Sequence, residues 1–272
     1  MDLARSTGGV IVNADSQQLY DGLRILTARP SPEDEAAVPH LLYGVADPGD
    51  AWSVGRWLRE IERILSGETR PLILVGGTGL YFNALLRGLA PTPPIDAEVR
   101  DSVQAQYETE GETSVRSELG PLDPAAARLI APGDRQRLVR ALSVYRATGR
   151  SLSDWRTEPS TPLLQPGQFL AYVVERPRDV LYRRCDARVD DMIAAGALDE
   201  VRALNRRGLD PELPVMKAVG VRELAGHLRG EIPLGAAVAE IKQQTRRFAK
   251  RQLTWFRNQT PDWPRVPVDP VP

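Results

Sequence analysis

The chain has 272 residues, of which 42% are hydrophobic and 26% charged, with a formal net charge of −1. That length can bury a substantial core, as one large domain or as a core with a smaller insertion, and the composition excludes a disordered or fibrous chain. No apolar run approaches a membrane span, the N-terminal stretch lacks the basic start and apolar block of a signal peptide, and the single cysteine, Cys185, excludes an internal disulfide framework and fits a reducing cytoplasm.

In chain order, Val10 to Asn13 reads as a short apolar strand entered through Gly8-Gly9. The stretch "ADSQQLYDGLRILTARPSPEDEAAVPH" is loop-rich, with Pro30, Pro32 and Pro39 as breakers. In "WSVGRWLREIERILSGETR" the apolar residues Trp57, Leu58, Ile61, Ile64 and Leu65 fall at helical spacing, and Gly67 marks the helix end. "RPLILVGGTGLYFNALLRGL" reads as strand, glycine turn and helix. Leu72 to Val75 is apolar without alternation, as expected of a parallel strand buried on both faces. This succession predicts an α/β domain that binds ligands at the carboxyl ends of its strands.

A proline-rich joint, "LAPTPPIDAEVR", leads into a stretch from about Glu98 to Trp155 that carries only helical patterning. A second joint, "TEPSTPLLQPGQ", precedes "FLAYVVERP", where a strand resumes before a mostly helical remainder. The two joints bracket a helical insertion over 96–165 within an α/β core of 1–95 and 166–272. The tail "PDWPRVPVDPVP" is too rich in proline for regular structure.

Asp15 stands just past the first strand, where a carboxylate can act as a base, hold a metal or cap the next turn. Gln17 and Gln18 carry paired donors and acceptors able to read a base edge. "GGTG" (Gly76 to Gly79) is a strand-to-helix turn that lets a ligand approach the backbone, and Thr78 adds a hydroxyl. In "GDRQRLVRALSVYRATGR" one face is apolar (Leu138, Leu142, Tyr145), while Arg135, Arg137, Arg140, Arg146 and Arg150 meet only Asp134 in that stretch. In "EIKQQTRRFAKRQLTWFRNQ", Lys242, Arg246, Arg247, Lys250 and Arg251 meet only Glu240. Two unopposed basic helices read as a grip on a nucleic-acid backbone, against the alternative of solvated faces. Lys217 and Arg222 flank Gly220 and could clamp a diphosphate. Two histidines and one cysteine leave no zinc cluster.

The ordered set "NADSQQLY", "TARP", "PHLLYG", "LILVGGTGLYF", "DRQRLVRAL", "MKAVGVRE" and "RRFAKRQLTWFR" resembles the bacterial tRNA dimethylallyltransferases over about Leu3 to Arg257. The resemblance implies a P-loop kinase-like parallel sheet with a helical insertion that grips a tRNA anticodon stem-loop. It implies transfer of a dimethylallyl group from dimethylallyl diphosphate to the exocyclic amine of the adenosine 3′ of the anticodon, with Mg²⁺ assisting through residues the motifs leave open. Carried onto this chain, it places Asp15, with Thr78, in the catalytic role. It places tRNA contacts at Asp15, Ser16, Gln17, Gln18, Thr78, Arg100, Gln136, Arg137, Leu138, Val139 and Arg140, with Arg246, Arg247, Lys250 and Arg251 adding backbone grip, and diphosphate contacts at Lys217 and Arg222.

One departure stands out. The family opens with a strand and a glycine-rich loop ending in Gly-Lys-Ser/Thr, and no such tripeptide occurs in this chain. The expectation is therefore a core lacking its first, interior strand and its phosphate loop, with poor diphosphate binding and exposed sheet edge. Two other readings compete: the same scaffold binding tRNA without modifying it, and a small-molecule P-loop kinase, which the basic helices and missing loop lysine disfavour. The expected protein is a cytoplasmic monomer without membrane contact.

Overall fold

The computed structural model describes residues 1–268. The chain forms two compact units, one of Met1–Leu86 with Leu164–Pro272 and one of Arg87–Leu163. These boundaries compare with the expected 95/96 and 165/166. The proline-rich joint after Arg87 thus belongs with the helices that follow it.

The first unit is built on three parallel strands, β1 (Val10–Asn13), β2 (His40–Leu41) and β3 (Leu72–Val75), in the order β2-β1-β3. All four residues of β1 are buried, because strands flank it on both sides. The two-sided burial expected for β3 is not found. Leu72, Ile73 and Leu74 are partly exposed and Val75 is 48% exposed. Among the described residues β3 pairs with β1 alone, so it forms the sheet edge, and its unbroken apolar run does not measure its burial.

Helix α1 (Asp2–Thr7) runs into β1 through Gly8, whose φ of 63° closes the helix. After β1 comes a long connection carrying α2 (Pro32–Ala37), which starts with a reciprocal capping box between Ser31 and Asp34. Helix α3 (Val54–Gly67) matches the sequence expectation down to its last residue. The Ser53 side chain caps it by accepting the Arg56 N–H, and its apolar stripe buries Trp57 and Ile61. Trp57 stacks on Tyr81 of α4 (Gly79–Arg87), with ring centroids 4.3 Å apart, and donates its indole N–H to the Asn13 carbonyl at 2.9 Å.

The second unit is helical, as its patterning predicts. It contains α5 (Ala97–Leu122), broken at Gly111, then α6 (Pro124–Leu129), α7 (Arg135–Thr148) and α8 (Leu152–Trp155). Val103, Val115, Leu119, Leu138 and Leu142 are fully buried in its core.

The chain then returns to the first unit. Strand β4 (Val173–Glu175) precedes α9 (Arg178–Ala194), α10 (Ala197–Asn205), a short 3-10 turn (Pro214–Lys217), α11 (Val221–Leu228) and α12 (Leu234–Gln259). The tail departs from expectation. Arg265–Pro267 forms β5, parallel to β4, with Val173 donating to the Pro264 carbonyl at 2.9 Å. Proline is tolerated there because a two-stranded ribbon leaves each strand one edge whose N–H groups need no partner. The last four residues of the expected irregular tail, 269–272, lie outside the described residues. No helix is long and apolar enough to cross a membrane among the described residues.

Replacing Trp57→Phe keeps an aromatic ring on Tyr81 but strands the buried Asn13 carbonyl. The expected loss is about 2 kcal/mol of unfolding free energy, read from a lowered urea midpoint with an unchanged slope.

Candidate active site

Strands β1 and β3 run in register from Val10↔Leu72 to Asn13↔Val75, so they end level. The segment Ala14–Gln17 and the turn Gly76–Thr78 therefore emerge side by side. Gly76 packs so closely beneath the Ala14 carbonyl that a Cβ would collide with it. Thr78 donates its N–H to the Ala14 carbonyl at 3.2 Å. Its hydroxyl accepts the Ser16 N–H at 2.9 Å and lies 3.3 Å from the Ser16 hydroxyl. The Thr78 side chain thus ties together the two strand ends, one of which carries Asp15, and its bonds are to Ser16.

Asp15 is partly buried. One carboxylate oxygen accepts the Gln17 N–H at 2.9 Å, an Asx turn, and the Asp15 N–H donates to the Asn13 side chain at 2.7 Å. The other carboxylate oxygen has no protein donor among the described residues. Burial raises the carboxyl above its ordinary value, and the Gln17 hydrogen bond only partly offsets this. A carboxylate in this state is a stronger base than one in water, with an oxygen free to take a proton.

Ser16 and Gln17 line a cleft of about 230 Å³ with Tyr20, Trp52, Tyr81 and Lys217. Its aromatic walls suit a flat or branched apolar group, and Lys217 supplies a cation. Lys217 currently pairs with Glu212 at 3.0 Å, while Arg222 sits exposed in the first turn of α11 and does not line the cleft. The two cations expected to clamp one group therefore stand apart. Burial pushes the Tyr81 hydroxyl up and the Tyr43 hydroxyl up to about 12, so both remain protonated donors.

The glutamines divide. The Gln17 side-chain oxygen accepts the Val219 N–H at 3.2 Å, leaving its amide nitrogen for a ligand. The Gln18 amide nitrogen donates to the Thr27 and Ala28 carbonyls at 2.9 and 3.0 Å. That corrects the base-reading role expected for Gln18, because its donors are spent on the loop that carries it. The same loop is held by Glu200, which accepts the N–H groups of Ile25 and Leu26, and by Arg29, buried near Asp21 and Glu35. Arg29 was visible within "TARP". Asn13 and Tyr20 stood within "NADSQQLY" and Trp57 within the α3 stripe, but Glu200 gave no local signal, since it acts on a loop distant in sequence.

The basic helices are less open than local counting implied. On α7, Arg135 pairs with Glu108, Arg137 with Asp134, Arg146 with Glu118 and Arg150 with Glu158. Arg140 alone of the five has no ion pair among the described residues. Leu138 and Val139, expected at the tRNA, are 0% and 7% exposed within the helical core and cannot reach a ligand. Gln136, Arg137 and Arg140 remain exposed, and Arg100 pairs with its neighbour Asp101 at 3.0 Å.

On α12, Lys242 pairs with Asp190 and Arg246 with Asp186, both acids coming from α9. Arg247, Lys250 and Arg251 make no ion pair among the described residues. They line an open cleft of about 500 Å³ with Thr254, Trp255 and Asn258. The helix crosses the glycine turn directly, with Gln252 over Gly77 and Trp255 over Gly79.

The folded protein holds the Asp15 proton more tightly than the unfolded chain does. Stability from this site is therefore greatest below 3.8, the ordinary value, and declines as pH rises through the raised one. Asp15→Asn is expected to raise the urea midpoint at neutral pH, with the gain shrinking as the pH is lowered through the raised value and absent below the ordinary one.

Residues 18–259 match the family model described as IPP transferase. The tRNA dimethylallyltransferase of Phenylobacterium zucineum is 54% identical over 270 residues, covering 98% of this chain and 87% of that protein. The corresponding protein of a Caulobacter species is 53% identical over 269 residues, with the same coverage. Among solved structures, the tRNA isopentenylpyrophosphate transferase of Bacillus halodurans aligns with a TM-score of 0.68 at 32% identity, covering 98% of this chain and 85% of that one. A eukaryotic dimethylallyltransferase shares the fold with a TM-score of 0.80 at 24% identity. With a parallel α/β core and a match running nearly end to end, the chain belongs to the IPP transferase family.

Proposed function

We propose that this protein transfers a dimethylallyl group from dimethylallyl diphosphate to the exocyclic amine of a tRNA adenosine beside the anticodon. The observation that carries the reading is Asp15, a raised, partly buried carboxylate with one oxygen tied and one free. The residues that follow it line an aromatic cleft. The names and coverage of the relatives support the same reaction, and family membership removes the small-molecule kinase.

An adenine amine is a weak nucleophile because its lone pair is delocalised into the ring. In the proposed step its nitrogen forms a bond to the allylic carbon as the carbon–oxygen bond to diphosphate breaks. The electron pair leaves with the diphosphate, and the amine proton passes to the free oxygen of Asp15. Base assistance of this kind is typically worth about 10²–10⁴-fold. The aromatic cleft excludes water from the allylic carbon, and Lys217, released from Glu212, offsets charge on the leaving group. Arg222, exposed outside the cleft, has no part in this step. Magnesium is proposed to travel with the diphosphate. Among the described residues there is no group of three or more His, Cys, Asp or Glu that would hold it, and Asp15, Ser16 and Thr78 offer only one carboxylate.

For the tRNA, the unpaired Arg247, Lys250 and Arg251 are proposed to hold phosphates, with Gln17 at the target nucleotide. Gln136, Arg137, Arg140 and Arg100, each exposed, are proposed as further tRNA contacts. A scaffold that binds without reacting would not need the free oxygen of Asp15.

The test is incubation with an anticodon stem-loop and dimethylallyl diphosphate, followed by mass analysis of the released nucleosides. A prenylated adenosine is expected, and its absence together with retained tRNA binding would favour the non-catalytic scaffold. Asp15→Asn should cut turnover by about 10²-fold or more while sparing tRNA affinity. Replacing Arg247, Lys250 and Arg251 by alanine should weaken binding and reduce the log–log salt slope by about 0.7–0.9 for each phosphate no longer neutralised. An unaltered slope would return α12 to a solvated face.

A further inference from the structure

Asn13 is the last residue of β1 and is fully buried. Its strand pairing needs nothing from its side chain, since the backbone ladder continues through Ala14, whose N–H donates to Val75 at 2.8 Å. The three preceding residues are Val, Ile and Val, so an apolar side chain would extend the burial. A polar group appears instead, and two of its three bonds go to Asp15. Its amide oxygen accepts the Asp15 N–H at 2.7 Å. Its amide nitrogen donates to the Asp15 carbonyl at 2.9 Å and to the Leu42 carbonyl at 2.9 Å. Its own carbonyl is held by the Trp57 indole.

One side chain therefore grips both main-chain polar groups of Asp15. The grip is anchored to Leu42, whose φ of 63° is a left-handed conformation that residues other than glycine seldom adopt. Held backbone and Asx turn together leave the Asp15 carboxylate little rotational freedom, with its unpaired oxygen aimed by the scaffold rather than by substrate.

We propose that Asn13 is a positioning residue for the proton acceptor, orienting Asp15 through its backbone while touching no substrate itself; this rests on the reading of Asp15 as the base. The structural alternative is that Asn13 merely fills and satisfies the end of β1. The two differ in whether its loss matters once Asp15 can no longer accept a proton.

The experiment is a double-mutant cycle on the full chain with Asn13→Ala, Asp15→Asn and their combination, read as single-turnover prenyl transfer at saturating dimethylallyl diphosphate. Asn13→Ala is expected to lose on the order of 100-fold in rate while tRNA affinity changes by no more than about 2-fold. Asn13→Ser, whose hydroxyl can still accept the Asp15 N–H, should recover part of the rate and serves as the folded variant if alanine is not tolerated. In the Asp15→Asn background the alanine should cost nothing further. A second full loss in the double variant, or tRNA affinity falling in step with rate, overturns the proposal.

Should Asp15→Asn alone leave turnover unaltered, or should the parent chain show no turnover, the failure belongs to the base reading or to the reaction. The positioning role is then decided by titrating the Asp15 carboxyl by carbon NMR in the parent and in the Asn13→Ala and Asn13→Ser proteins. Return of Asp15 towards 3.8 in the alanine variant is expected, with serine intermediate, and an unchanged titration overturns the proposal.

Discussion

The in-register parallel pairing of β1 with β3 is the constraint on which the rest of the site depends. Because the two strands end level at Asn13 and Val75, two chain segments some sixty residues apart in sequence leave the sheet together. Every polar feature of the site follows from that coincidence. Thr78 can reach Ser16, Gly76 can lie under Ala14, and the Asx turn of Asp15 can form against a fixed neighbour. A slip of one residue would reverse which side chains of β1 face each side of the sheet and would take Ser16 away from Thr78.

Around that junction the protein commits most of its polar groups to holding loops rather than to meeting ligands. Gln18, Thr78, Glu200 and Arg29 look functional by residue type, yet their bonds are made to backbone and to neighbouring side chains. What remains unspent near it among the described residues is small: one oxygen of Asp15, the amide nitrogen of Gln17, and the cations at Arg247, Lys250 and Arg251, with Lys217 held only by an exposed pair to Glu212. Such economy suits a reaction in which one proton must be taken at one place. A carboxylate that is raised by burial and rigidly held gains as a base, whereas a mobile and solvated one would revert to ordinary acidity.

The basic helices show how tertiary structure edits a charge pattern. Along α7 and α12 the arginines and lysines outnumber acids by a wide margin, and local counting finds them unopposed. The acids come from other elements: Glu108 and Glu118 from α5, Asp186 and Asp190 from α9. These pairings are mostly exposed and individually weak. They nevertheless leave the C-terminal half of α12 as the part of that helix whose cations are free to exchange counterions for phosphate.

By itself the sequence determined the α/β class, the helical nature of the inserted block, α3 to its terminal glycine, the strand that ends at Asn13 just before Asp15, and the family to which the chain belongs. These are legible because local periodicity, caps and short motifs report them directly. Tertiary structure alone decided that β1 and not β3 is the buried strand, and that Arg265–Pro267 pairs despite its prolines. It also decided that Leu138 and Val139 turn into a core and that Asn13 grips Asp15. Burial depends on which strand has neighbours on both sides, and ion pairing on which helices lie together. Neither is a property of the residues adjacent in the chain.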